Sequence, residues 1–79
     1  MEIKILGTGC SNCKKLESNV KEAVKELNAY AKVIKVEDIK DIMKYGVMRT
    51  PALVINEKVK MFGKVCTVDE IKKYINDEK

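Results

Sequence analysis

The chain contains no histidine, tryptophan or glutamine, and it has one proline, one arginine and one phenylalanine among 79 residues. A closed zinc site asks for four cysteine or histidine ligands; with three cysteines and no histidine the donors run short. No apolar run approaches the roughly 20 residues that a membrane-spanning helix requires. The opening "MEIKILGTG" is too short and wrongly flanked for a secretory signal, so the expected setting is cytoplasmic, with no membrane partner. Aromatics are limited to Tyr30, Tyr45, Phe62 and Tyr74. The net charge of +4 comes from lysines scattered among acids, without a basic block or aromatic platforms, which argues against nucleic-acid binding. Three cysteines are too few and too odd in number for a disulfide scaffold. Linkers, repeats and low-complexity tracts are likewise missing, so residues 1–79 read as a single domain, expected to be a monomer.

What is present is a globular balance, 46% hydrophobic and 35% charged, rich in aliphatic residues. "EIKIL" at 2–6 alternates before a Gly-Thr-Gly break and predicts a strand. Leu16, Val20, Ala23, Val24 and Leu27 recur at helical spacing and predict a helix from about Ser11 to Asn28. "AKVIKV" at 31–36 reads as a second strand, and Ile39, Ile42 and Met43 as a short amphipathic helix closed by Gly46. "PALVI" at 51–55 has the continuous apolar character of a central strand, with Pro51 confined to its first position. "NEK" then turns the chain into "VKMF", a strand ending at Gly63. Thr67 and Glu70 have capping-box spacing ahead of Val68, Ile71 and Ile75, marking a closing helix. Cys66, just before that cap, is placed to pack on Ile71 as a small buried hydrophobe. The order is β-α-β-α-β-β-α, an α/β class.

The chemistry sits in "GTGCSNCKK", residues 7–15. Cys10 falls at the mouth of the first helix, where unpaired N–H groups and the helix dipole favour a thiolate. Cysteines so placed can have their pKa lowered to roughly 3.5–7.5 from about 8.5. Cys13 falls on the apolar stripe, three residues before Leu16, and is expected to be more buried and to keep its proton longer. Lys14 and Lys15 are surface residues first, and any support for the thiolate is secondary. Taken alone, the motif is compatible with metal binding, a structural brace or electron transfer.

Strand, C-x-x-C, helix, strand, helix, "KYGVMRTPALVI", hairpin and final helix together resemble the thioredoxin-like family over nearly the whole chain, most of all the small redox-active disulfide proteins called glutaredoxin-like or thioredoxin-like. The resemblance implies a minimal thioredoxin fold, a mixed four-stranded sheet with three helices. It also implies a cis peptide at Thr50–Pro51 facing the cysteines, and substrate contacts at Gly9, Thr50, Pro51 and, in the matching region after the fourth strand, Gly63. The implied activity is reduction of protein disulfides through a Cys10/Cys13 dithiol–disulfide cycle, with Cys10 as nucleophile and Cys13 as resolving thiol. No tightly bound cofactor is implied. Electrons would come from a thioredoxin-reductase-type flavoprotein or from glutathione.

Three features depart from thioredoxin proper: the tryptophan before the first cysteine is Gly9, the proline between the thiols is missing, and the buried aspartate falls at Lys4 by counting back. The alternative family is the heavy-metal-associated domain, in which a similar G-M-x-C-x-x-C binds a soft ion such as Cu(I), here through Cys10 and Cys13. That domain runs β-α-β-β-α-β and carries methionine where this chain has Thr8.

Overall fold

A computed structural model describes residues 1–9 and 11–78; Cys10 and Lys79 lie outside the described residues. The elements are β1 (Glu2–Leu6), α1 (Ser11–Glu26), β2 (Lys32–Val36), α2 (Ile39–Lys44), β3 (Ala52–Ile55), β4 (Lys58–Phe62) and α3 (Val68–Asp77). The strands form one sheet in the order β2-β1-β3-β4, with β1 parallel to β2 and antiparallel to β3, and β3 antiparallel to β4. This is the minimal thioredoxin fold that the resemblance implies.

Alternation along β1 divides the core between the two faces of the sheet. Ile3 and Ile5 point to one face, where Leu53 and Ile55 of β3 meet Leu16, Val20 and Ala23 of α1 and Ile71 and Ile75 of α3. Leu6 points to the other, with Ala52, Val54, Ile42 and Val47. All four residues of β3 are buried, as a central strand covered on both sides requires.

The ends of the elements have local causes. α1 stops at Glu26, two residues before the predicted end at Asn28, because Asn28 takes a left-handed conformation (φ +50°). The Ala29 N–H then donates to Val24 O at 3.0 Å and the Asn28 N–H to Lys25 O at 3.1 Å, which closes the helix in a Schellman motif. Asn56 and Glu57, both at positive φ, make the two-residue turn of the β3–β4 hairpin. A register shift between Leu53 and Val54 then leaves Met61 buried while Val59 and Phe62 stay exposed. The capping box of α3 is formed: Thr67 Oγ1 accepts from the Glu70 N–H at 3.2 Å, and Glu70 Oε1 accepts from the Thr67 N–H at 3.2 Å.

The amphipathic reading of α2 needs correction. Ile42 is buried, but Ile39 and Met43 are 62% and 68% exposed. A helix of six residues seats one side chain on the sheet, and the other two apolar positions turn outward. Each fully buried aliphatic side chain contributes roughly 1.5–3 kcal/mol, so α2 is held far more weakly than α1 or α3.

Candidate active site

The site lies where β1 ends, α1 begins and β3 starts. Cys13, in the first turn of α1, is 6% exposed, so the stripe that carries Leu16 and Val20 has turned its sulfur inward. β1 accommodates it through Gly7. A Cβ built on Gly7 would collide with Cys13 Sγ, and it would stand 3.2 Å from Cys13 Cβ and 3.9 Å from Thr50 Cβ. Cys13, Gly7 and Thr50 therefore converge within the breadth of one side chain. The Gly7 N–H extends the β1–β2 ladder by one bond, donating to Val36 O at 2.9 Å.

The Thr50–Pro51 peptide is cis, and Pro51 is buried immediately ahead of β3. Its carbonyl accepts from the Gly63 N–H at 2.9 Å, tying the end of β4 to the start of β3. Gly63 holds φ +78°, and a Cβ there would stand 3.4 Å from Arg49 Cδ. Gly9, at φ +87°, lines a cavity of about 60 Å³ beside Cys13. Thus Gly9 lines the cavity beside Cys13, Thr50 meets Cys13 across Gly7, and Gly63 is joined to Pro51 through a backbone hydrogen bond. The first cysteine, Cys10, lies outside the described residues.

That cavity holds two groups the sequence reading missed. Glu17, one turn below Cys13, shares its lining with Cys13, Gly7, Lys35 and Glu37. The Glu17 carboxylate pairs with Lys35 at 3.2 Å and with Lys21 at 3.5 Å. Burial pushes its carboxyl upward, but the hydrogen bond from Lys35 and the two ammonium charges outweigh that and hold it below the usual range. Spacing alone contained a clue, since i and i+4 share a helix face, but the lysine comes from β2 and is visible once β1 and β2 pair.

Lys4, at the position counted to the family's aspartate, lies on the opposite face of the sheet. Its ammonium is 2.5 Å from Glu57 Oε1 and 2.6 Å from Tyr45 Oη, with the Tyr45 ring centroid at 5.4 Å. Hydrogen bonds from Lys4 and Tyr45 hold the Glu57 carboxyl low. Tyr45 packs against the smaller core, and none of Lys4, Tyr45 and Glu57 is among the described residues that line Cys13's cavity.

Cys66 is fully buried in the same core as Ile71, as expected for a small hydrophobe just before the cap. Burial and then the charge of Glu70 push its thiol up, which makes it a poor nucleophile near neutral pH. Among the described residues no cluster of three or more acidic, cysteine or histidine side chains is positioned to hold a metal, and no helix is long and apolar enough to cross a membrane.

Comparison with known proteins agrees with this geometry. A family model described as thioredoxin domain matches residues 1–76. The chain is 41% identical over 76 residues to a thioredoxin of Methanothermobacter thermautotrophicus, covering 96% of this chain and 99% of that one. It is 40% identical over 70 residues to a thioredoxin of Methanocaldococcus jannaschii, covering 89% and 80% respectively.

Proposed function

The chain belongs to the thioredoxin family and is a thiol–disulfide oxidoreductase, and on that footing we propose that Cys10 is its nucleophile and Cys13 its resolving thiol. Its substrates are disulfide-containing proteins, and the family carries no tightly bound cofactor. The observation that carries the reading is the seating of Cys13: a thiol shielded from solvent against Gly7, beside the cis peptide that opens β3.

The cycle balances as follows. The Cys10 thiolate attacks one sulfur of the substrate disulfide, forms a mixed disulfide and releases the first substrate thiolate. Cys13 gives up its proton and attacks the Cys10 sulfur. The second substrate thiolate leaves as the Cys10–Cys13 disulfide forms. Two electrons pass to the substrate, which also takes up two protons. Reduction by a thioredoxin-reductase-type flavoprotein or by glutathione returns the dithiol, in a cytoplasmic setting.

Substrate backbone docks against Gly9, Thr50, Pro51 and Gly63. These groups offer an exposed hydroxyl-bearing residue and two glycines without side chains, a low rim over which an extended segment can approach the thiols.

The roles are separable by mutation. Cys13→Ser accumulates a mixed disulfide with substrate, visible as a mass increase that a strong reductant removes. Cys10→Ser abolishes reduction and traps nothing. Equal trapping by both variants contradicts the assignment.

A further inference from the structure

Three stretches of chain supply Gly7 and Cys13, Thr50 and Pro51, and Gly63, and none carries an acid. No Asp or Glu occurs from Ile3 to Leu16, from Ile42 to Asn56, or from Lys58 to Val68. The same stretches present Lys14 and Lys15 on the first turns of α1, Arg49 beside Thr50, and Lys64 after Gly63. Lys14, Lys15 and Arg49 are exposed and have no ion-pair partner among the described residues; Lys64 reaches Glu70 at 3.5 Å. The acids nearest the mouth are Glu17 and Glu37 in the cavity, with Glu17 already held by Lys35 and Lys21. Apolar surface is exposed on the neighbouring residues of the same stretches: Met48, next to Arg49 in the chain, is 92% exposed, and Phe62, next to Gly63, is 55% exposed.

We propose that this rim is a docking surface for protein partners whose reactive disulfide is flanked by Asp or Glu together with an apolar side chain. The proposal rests on the disulfide-reductase reading and adds the substrate class. Arg49 sits over Gly63 and next to Thr50, so its charge lies at the edge of the groove that receives the substrate backbone. Lys14 lines the Cys13 cavity. A substrate segment that runs past Thr50 to reach Cys13 comes within range of both positive charges. The exposed Met48 and Phe62 favour a protein partner over a bare polyanion, because they provide contact area that a phosphate backbone does not use.

Charge complementarity of this kind acts mainly on association, raising it about tenfold or more at low salt. It fades once the Debye length falls from about 10 Å at 0.1 M to about 3 Å at 1 M. The preference also runs against intrinsic chemistry, since acidic neighbours repel an incoming thiolate.

The test is reduction of three matched disulfide peptides with acidic, neutral and basic flanks, each rate divided by the rate with dithiothreitol. The normalised kcat/KM is expected to fall about tenfold or more from acidic to basic flanks at 20 mM salt and to level out at 1 M salt. In Lys15→Glu/Arg49→Glu the order is expected to reverse. Reduction of all three at equal normalised rates overturns the proposal while leaving the reductase reading intact, as does an unchanged order in the variant. Failure to reduce any of them, neutral included, overturns both. Inhibition by a single-stranded DNA oligonucleotide as strong as that by an acidic peptide overturns the choice of a protein partner.

Discussion

Gly7→Ala is the substitution with the most definite outcome. The added methyl falls inside the van der Waals shell of Cys13 Sγ and 3.2 Å from Cys13 Cβ. Helix α1 has no freedom to retreat, because Leu16 and Val20 are fully buried against the sheet. Overpacking of this kind costs about 1–3 kcal/mol. Gly7 is not among the glycines held at positive φ, so alanine regains about 0.4–1 kcal/mol by restricting the unfolded chain. The net loss centres on about 1.3 kcal/mol within a span of about 0–2.6 kcal/mol, and at about 4–8 °C per kcal/mol for a domain of this size the melting temperature drops by roughly 5–10 °C at that centre. Thermal unfolding of the reduced protein by circular dichroism measures it. Cys13→Ala removes the colliding atom, so the cost of Gly7→Ala falls by about 1 kcal/mol in that background, a coupling a double-mutant cycle reads directly. An equal effect of Gly7→Ala in both backgrounds refutes the packing of Cys13 on β1.

Other perturbations act elsewhere. Thr67→Ala removes the side-chain half of the α3 capping box and costs about 1 kcal/mol in urea unfolding, without altering alkylation of Cys10 and Cys13. Leu53→Ala, in the fully buried central strand, costs about 2–5 kcal/mol, enough to leave much of so small a domain unfolded by circular dichroism. Glu17, Glu57 and Glu78 have carboxyls held below their usual 4.5 by lysine partners. A carboxyl depressed in the folded state adds stability that is complete above the unfolded value and is lost as pH falls through the folded one. Urea midpoints should therefore be level from pH 7 to pH 5.5 and decline below about pH 4.5, and Glu17→Gln should shrink that decline.

Legibility in the sequence followed how local each cause is. The stripe from Leu16 to Ala23 and the Thr67/Glu70 pair are short-range patterns; the first placed α1 to within two residues and the second marked where α3 starts. Asn28 ended α1 early because a left-handed residue satisfies the last carbonyls, and periodicity carries no mark of that choice. Ile39 and Met43 have the same spacing as core residues, yet α2 is too short to turn more than Ile42 onto the sheet. The cysteines and Pro51 stood out as residue types with a spacing. Gly7 did not, since its role appears once Cys13 Sγ, from another element, is set against it. Glu17 required two steps, the helix face shared with Cys13 and the arrival of Lys35 from β2. Lys4 shows the opposite error: counting along a strand puts it at a family position, while the alternation of β1 turns its side chain to the far face.

The most direct measurement of the central claim is a redox titration of the purified protein in glutathione or dithiothreitol buffers, followed by alkylation and mass analysis. Wild type is expected to pass through one two-electron transition in which Cys10 and Cys13 change together while Cys66 stays unmodified in the folded state. A transition that persists in Cys10→Ser, or one that involves Cys66 in place of Cys13, contradicts the account.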